Sequence, residues 1–340
     1  MQVLVTGANG LLGHHVVMQL LDKGHQVKII VRSTQKITFD LNRVECVKGN
    51  FNDKNTLCRA MHSCEAVIHI AAVTDMHLTG YQKYKNINVD ATRQLLEIAE
   101  ELSVNKVIFV SSANTIGFGS VDNLADENVS FSYPFTKSHY AKSKFEAEKL
   151  VVDFANASRN RHAIIINPTF MIGSYDTKPS SGVLVQMGYK KRFLLIPSGG
   201  KNFVAVEDVA TVCCNALTMG KSGERYLACN INLSFKEYFK IQSRVGNYQQ
   251  IIMVLPDFLL KLVGYLGDFF QLLKIKVSFS SRNINQLLIK EYYTNAKAKK
   301  ELSLPETPIE EAIESALKWF YPKFYNKKRC IDELENHTSA

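Results

Sequence analysis

The opening run Val3-Leu4-Val5-Thr6-Gly7-Ala8-Asn9-Gly10-Leu11-Leu12-Gly13 constrains this chain more than any other stretch. Val3 to Val5 is an apolar segment of the length expected for a strand buried on both faces. Three glycines follow at Gly-x-x-Gly-x-x-Gly spacing. His14 to Lys23 then places Val16, Val17, Leu20 and Leu21 at helical intervals. A strand, a glycine turn and a helix in that order form a seat for a dinucleotide pyrophosphate. Glycine lets the backbone turn tightly and approach the phosphates, while the helix N-terminus offers N–H groups and the positive end of its dipole. The plainer reading, a glycine turn without a ligand, is disfavoured by the flanking strand and helix.

Downstream, apolar runs alternate with amphipathic ones. The pattern predicts strands at Gln26 to Val31, Val44 to Lys48, Ala66 to Ile70, Lys106 to Val110 and Ala163 to Ile166. It predicts helices at Lys54 to Met61, Lys83 to Leu102, and Pro134 to Asn156, with Asp53 capping the first of these. This rhythm implies an α/β fold, a Rossmann-type doubly wound parallel sheet with helices on both faces. After Pro168 the alternation becomes irregular, which marks a smaller, discontinuous α/β C-terminal substrate region. Residues 1–170 are expected to form the dinucleotide-binding domain, with 203–230 returning to its sheet through Phe203 to Ala210. Residues 171–202 and 231–326 form the substrate region, and 327–340 a flexible tail.

Ile251 to Leu273 is very apolar, yet it contains Pro256, Lys261, Gly264, Gly267 and Asp268. Its charges argue against a spanning helix and stable membrane insertion. It reads as two short amphipathic helices over a substrate pocket, with membrane-surface contact as the minority alternative. The net charge of +9 is scattered, densest at Lys297, Lys299 and Lys300 and again at Lys327, Lys328 and Arg329. Such a surface favours anionic ligands, and no nucleic-acid recognition motif accompanies it. The seven cysteines are odd in number and show no metal spacing. Adjacent Cys213 and Cys214 lie in an apolar helical run and read as core. Free thiols, with a first strand that starts almost at Met1 in place of a signal peptide, predict a cytoplasmic protein without a metal site.

Five further motifs join the glycine turn in order: His69-Ile70-Ala71-Ala72, Asn88-Val89-Asp90-Ala91-Thr92, Val110-Ser111-Ser112-Ala113, Tyr140-Ala141-Lys142-Ser143-Lys144 and Asn167-Pro168-Thr169. With Phe203 to Ala210, they make the chain resemble an extended (atypical) short-chain dehydrogenase/reductase of the NAD-dependent epimerase/dehydratase superfamily. Within it, the chain is most similar to the branch of dihydroflavonol reductases and 3β-hydroxysteroid dehydrogenases. The resemblance is weakest at 179–197 and 230–280. It implies a nicotinamide cofactor, hydride transfer, and a homodimer formed through the helices near Lys83 to Leu102 and Tyr140 to Asn156.

Tyr-x-x-x-Lys alone carries little weight, because Tyr81/Lys85, Tyr133/Lys137, Tyr140/Lys144 and Tyr293/Lys297 all satisfy it. Context selects Tyr140/Lys144. Its residues share one face of a strongly helical stretch that follows the fifth strand, whereas Tyr133 precedes Pro134 and is steered out of the helical region. A free phenol titrates near about 10, and an ammonium beside it favours the phenolate. Tyr140 then exchanges a proton with the substrate oxygen, Lys144 holds the nicotinamide ribose, and Ser112 donates to the oxygen on which charge develops. By the resemblance Ser112, not Ser111, is catalytic.

The resemblance places the cofactor against Gly7, Asn9, Gly10, Leu11, Leu12, Gly13, Asn50, Phe51, Ala71, Ala72, Val73, Asn88, Tyr140, Lys144, Asn167, Pro168 and Thr169. Asn88 reads almost equally as a buried packing residue. Where NAD-preferring members carry an acid at the end of strand two, this chain has Val31-Arg32-Ser33. Arg32 suits a 2′-phosphate, so NADP is expected over NAD. Asn50 replaces the family's usual Asp at the adenine. The leading reading is a reductase or dehydrogenase for a fairly apolar carbonyl or alcohol substrate. A sugar-nucleotide epimerase with tightly bound NAD is the alternative, and Ala113-Asn114 after Ser112 counts against a dehydratase. A non-enzymatic NADP sensor or assembly protein is the alternative of another class.

Overall fold

A computed structural model describes residues 1–322 apart from 76, 77, 79, 274 and 276–279. The expected tail at 327–340, with its basic group Lys327 to Arg329, lies outside the described residues. The chain begins β1 (Gln2–Thr6), α1 (Leu11–Asp22), β2 (Gln26–Val31), β3 (Glu45–Lys48), α2 (Lys54–Met61) and β4 (Ala66–His69). It continues with α3 (Tyr81–Tyr84), a π-helical turn (Lys85–Asp90), α4 (Ala91–Glu101), β5 (Lys106–Val110), α5 (His139–Asn156) and β6 (His162–Pro168). The second half contains β7 (Phe170–Ile172), α6 (Gly182–Gly188), β8 (Phe193–Ile196), β9 (Gly200–Ala205), α7 (Val206–Asn215) and β10 (Arg225–Ala228). It ends with β11 (Ile231–Ser234), α8 (Phe235–Val245), β12 (Ile251–Val254), α9 (Asp257–Leu272), α10 (Ser281–Leu288), β13 (Lys290–Glu291), α11 (Ala296–Leu302) and α12 (Ile309–Phe320).

Seven strands form one parallel sheet in the order β10-β6-β5-β4-β1-β2-β3. The order reverses at the β1/β4 boundary, so a crevice opens at the C-terminal ends of those two strands. Apolar side chains pack on both faces of the sheet. Val16, Val17 and Leu20 of α1 and Val209 and Cys213 of α7 cover one face. Leu57 of α2, Leu95 of α4 and Val151 of α5 cover the other. A separate core joins β7, β9, α6, α8 and α12 around Phe203, Tyr238, Phe239 and Ile313.

Three local expectations need correction. Phe203 to Ala205 does not return to the main sheet: it ends β9, which pairs with β7, β11 and β13 in a second sheet. The seventh strand of the main sheet is β10, paired with β6. Phe203, Val204 and Ala205 are fully buried, so their hydrophobicity signals a buried strand without saying in which sheet. Second, Ile251 to Leu273 is one short strand and one helix, not two helices. Pro256 separates them, and Gly264 sits inside α9 because a Cβ there would lie 2.9 Å from the Ser281 Cα of α10. Third, helix α5 starts at His139, capped by the Ser138 side chain on the Ala141 N–H, after a separate 3₁₀ turn at Phe135–Lys137.

Candidate active site

The glycine turn fits the dinucleotide seat. Gly7 adopts φ +77°, and a Cβ there would meet the Ala71 nitrogen at 2.8 Å. A Cβ on Gly13 would lie 2.1 Å from the Gly7 carbonyl. Both glycines are therefore required for α1 and the end of β4 to approach the turn. Gly10, at the N-cap position of α1, supplies no side-chain cap. The amides of the first turn are thus left for an anion, with the helix dipole behind them.

Thr6 secures this arrangement from below. Its hydroxyl accepts from the Ile70 and Ala71 amides, both at 3.1 Å, and shares a 2.7 Å hydrogen bond with His69 Nδ1. His69 Nε2 meets the Thr92 hydroxyl at 3.0 Å. Burial, then the Lys144 charge, lowers the His69 pKa to about 3, so the ring is a neutral strut between β1, β4 and α4. Asn88 braces the next residues: its carbonyl accepts from Val73 N at 2.8 Å, and its amide donates to Val73 O and to Ser143 Oγ. The Ser143 hydroxyl in turn donates to Tyr140 O at 2.7 Å. Asn88 thereby links the end of β4 to the helix that carries Tyr140.

Ser112 lies just beyond the end of β5 beside the Tyr140 phenol, and its hydroxyl accepts from Asn114 N at 3.2 Å. Burial pushes that phenol up to about 12; the nearby Ser112 hydroxyl opposes the rise and the Glu148 charge adds to it. Lys144, one helical turn on, is fully buried. Its ammonium donates to Val110 O at 2.6 Å and lies 4.1 Å from the centre of the Phe109 ring. This differs from the expectation of an ammonium turned to the phenol. A buried cation needs an acceptor, and the carbonyl at the end of β5 provides one. Burial lowers the Lys144 pKa to about 7, partly offset by Glu148.

Glu148 follows Tyr140 and Lys144 on the same helix face, at i+8 and i+4. It is buried and accepts from Thr115 Oγ1 and from Asn167 Nδ2, each at 2.7 Å, with Arg225 at 3.6 Å. Burial raises its pKa, while its hydrogen bonds and Arg225 act in the other direction. Asn167 corrects the sequence reading. Its side chain does not face the cofactor crevice; it is fully buried and donates to Ser112 O, Thr115 Oγ1 and Glu148. It thus holds the Ser112 backbone in place. Pro168 is likewise buried in β6, and the Thr169 hydroxyl donates to Asn202 Oδ1 at 2.8 Å. Ser111 is buried beside Glu148.

Arg32 is exposed at the end of β2, and Asn50 at the end of β3 is exposed beside Phe51, whose ring meets His69 edge-on at 5.9 Å. The loop after β7 folds over this end of the crevice. Thr177 Oγ1 donates to Asn9 O at 3.1 Å, and Tyr175 stacks on His14 at 3.6 Å. Burial, then Arg32 and Lys36, lowers the pKa of Lys178. The sequence reading missed Lys36, Lys178, Thr6 and Glu148. Only Glu148 left a readable signal, through its i+4 spacing from Lys144.

The buried lysine has a testable consequence. An unfolded Lys titrates near about 10.4, well above Lys144 in the folded chain. Its burial penalty is therefore fully present below pH 7 and disappears as pH rises toward about 10, where the unfolded chain has also lost the proton. Lys144→Met is expected to melt roughly 2–4 °C above the parent at or below pH 7, with the gap closing by pH 10. Thermal melts of both cofactor-free proteins across this range check it; a gap that widens with pH contradicts it.

The region of similarity to known proteins spans this site. The NAD dependent epimerase/dehydratase family matches residues 3–231. A Synechocystis sp. protein whose name includes dihydroflavonol 4-reductase is 27% identical over 332 residues, covering 95% of each chain. The Candida albicans sterol-4-alpha-carboxylate 3-dehydrogenase ERG26, decarboxylating, is 25% identical over 348 residues, covering 93% of this chain and 97% of its own. The crystal structure of gox2253 superposes with a TM-score of 0.79 at 28% identity, covering 94% of this chain and 98% of its own. Because the match runs from the glycine turn through Ser112, Tyr140 and Lys144 to the start of β11, the chain belongs to the NAD dependent epimerase/dehydratase family.

Proposed function

We propose that this chain is an NADP-preferring reductase or dehydrogenase for a fairly apolar carbonyl or alcohol, with Tyr140, Ser112 and Lys144 as its catalytic residues. The observation that carries this reading is the placement of the Ser112 hydroxyl beside the Tyr140 phenol at the end of β5, one helical turn from buried Lys144. The chain is an oxidoreductase of the NAD(P)-dependent type. When bound, the nicotinamide supplies or accepts the hydride. In the reducing direction Tyr140 passes its phenolic proton to the substrate oxygen. Ser112 donates to the same oxygen and holds the phenol in line. Lys144 is assigned to the nicotinamide ribose, and Asn167, bonded to Glu148, keeps the Ser112 backbone stationary.

The preference for NADP is supported by three cations, Arg32, Lys36 and Lys178, drawn from two loops that meet over the end of β2. No acid stands at the end of that strand to bind an unphosphorylated ribose. The apolar class of substrate is supported by the sterol substrate that one relative's name carries. The dimer is proposed through α4 and α5, which pack side by side, and a cytoplasmic location on the free cysteines. The test separates the reductase from the epimerase. A reductase consumes NADPH as it converts an apolar ketone, whereas an epimerase returns the hydride and leaves its cofactor unchanged. A non-enzymatic sensor would consume none.

A further inference from the structure

β8 and β12 form a separate two-stranded parallel sheet with Phe193 opposite Ile251 and Leu195 opposite Met253. Leu194 and Ile196 point into the core, as a half-buried strand requires. The other face should be polar, yet Phe193, Leu195, Ile251 and Met253 are all more than half exposed, Phe193 at 61%. Helix α9 follows after Pro256 and repeats the anomaly. It seats its glycine edge, Gly264 and Gly267, inward, with Gly264 against α10. Phe258 (69% exposed), Leu262, Tyr265, Leu266 and Phe269 face outward. A helix apolar around most of its circumference is normally buried, and a contiguous apolar surface of this kind marks an interaction site.

Charge identifies the occupant. Lys190, Lys191 and Arg192 lead into β8 and are exposed, as is Lys261 on α9. The two acids of α9 are engaged by the protein: exposed Asp257 accepts from Ser198 Oγ at 2.6 Å and half-buried Asp268 from Ser281 N at 3.1 Å. The face is therefore apolar with a basic border. A two-fold contact with a second copy would bring these positive charges to both sides of one interface. An anionic bilayer supplies instead the negative headgroups and the hydrocarbon that such a face takes. Among the described residues no helix is long and apolar enough to cross a membrane, which leaves contact at the surface. We infer that α9 and the outer face of β8–β12 dock this protein on anionic membranes. Helix α10 also reaches the turn before α5, where Asn285 Nδ2 donates to Tyr133 Oη at 2.9 Å. Helix α10, packed on the glycine edge of α9, thus borders the segment that leads to Tyr140. This inference stands apart from the proposed activity and is tested without it.

The test is co-sedimentation of the full chain with vesicles of phosphatidylcholine containing phosphatidylglycerol, against vesicles of phosphatidylcholine alone. Binding is expected to the anionic vesicles, weakening as salt is raised. Phe193→Ser with Phe258→Ser is expected to lower the bound-to-free ratio at least about tenfold. Lys191→Glu with Arg192→Glu is expected to do the same at low salt. All four side chains are exposed, and an unchanged melting temperature confirms that each variant folds. Absence of binding to anionic vesicles overturns the inference, as does binding that ignores both double variants. Light scattering that shows the parent as a larger species, broken up by Phe193→Ser with Phe258→Ser, assigns the face to a second copy and also overturns it.

Discussion

Tyr140→Phe is expected to lower NADPH-dependent turnover by about 10³-fold, within the range seen when a positioned proton donor is removed. The substitution removes one hydroxyl from a side chain whose ring stays in place, so NADPH affinity is expected to remain within about twofold of the parent. The position of the phenol makes the loss specific. It lies beside Ser112, on a helix anchored through Ser143 and Asn88 to the end of β4. Water has no comparable anchoring. Both kcat and kcat/KM should fall together, because the proton is transferred in the transition state. Steady-state rates with cofactor binding measured by fluorescence check this outcome. Near-parental turnover in the variant removes Tyr140 from the chemistry.

The second large effect concerns cofactor choice. NADPH is expected to bind more tightly than NADH. Arg32→Ala is expected to weaken NADPH at least about tenfold, the loss of one charge-assisted contact, while leaving NADH unchanged. Lys178→Ala should act in the same direction to a smaller extent, because the loop that carries it is tied down by the Thr177–Asn9 contact and its charge faces Arg32 and Lys36. A 2′-phosphate would relieve the repulsion among these three cations, whereas an unphosphorylated ribose would not. Fluorescence titrations of the parent and both variants with each dinucleotide read this directly. Equal weakening of NADPH and NADH would mean that Arg32 holds something other than the 2′-phosphate.

Most of the main sheet was legible because its strands are continuous apolar runs of the right length between amphipathic helices, and because a glycine triplet announces the first turn. The helical setting proposed for Tyr140/Lys144 was legible too, as a helix after the fifth strand, with Pro134 beside a competing tyrosine. Other features needed the third dimension. Phe203 to Ala205 is buried on both faces, and nothing in its composition says which sheet buries it. Ile251 to Leu273 reads as two short helices, yet α9 runs through Gly264, where it meets α10. Asn167 appears in a motif shared with cofactor-binding relatives, but its amide is engaged by Ser112 O, Thr115 and Glu148. Lys178 is far in sequence from Arg32, and only the fold of the loop over Asn9 brings them together.

The central claim is that hydride passes between a dissociable nicotinamide cofactor and an external substrate while Tyr140 moves the proton. Incubating the purified chain with NADPH deuterated at the transferring position of the nicotinamide and a panel of apolar ketones, sterol ketones included, tests it most directly. The account predicts that NADPH absorbance falls, that deuterium appears on the new carbinol carbon of one product, and that Tyr140→Phe abolishes both. Cofactor that stays bound and unconsumed while a sugar nucleotide is inverted would contradict it, as would NADPH that binds but is never oxidised.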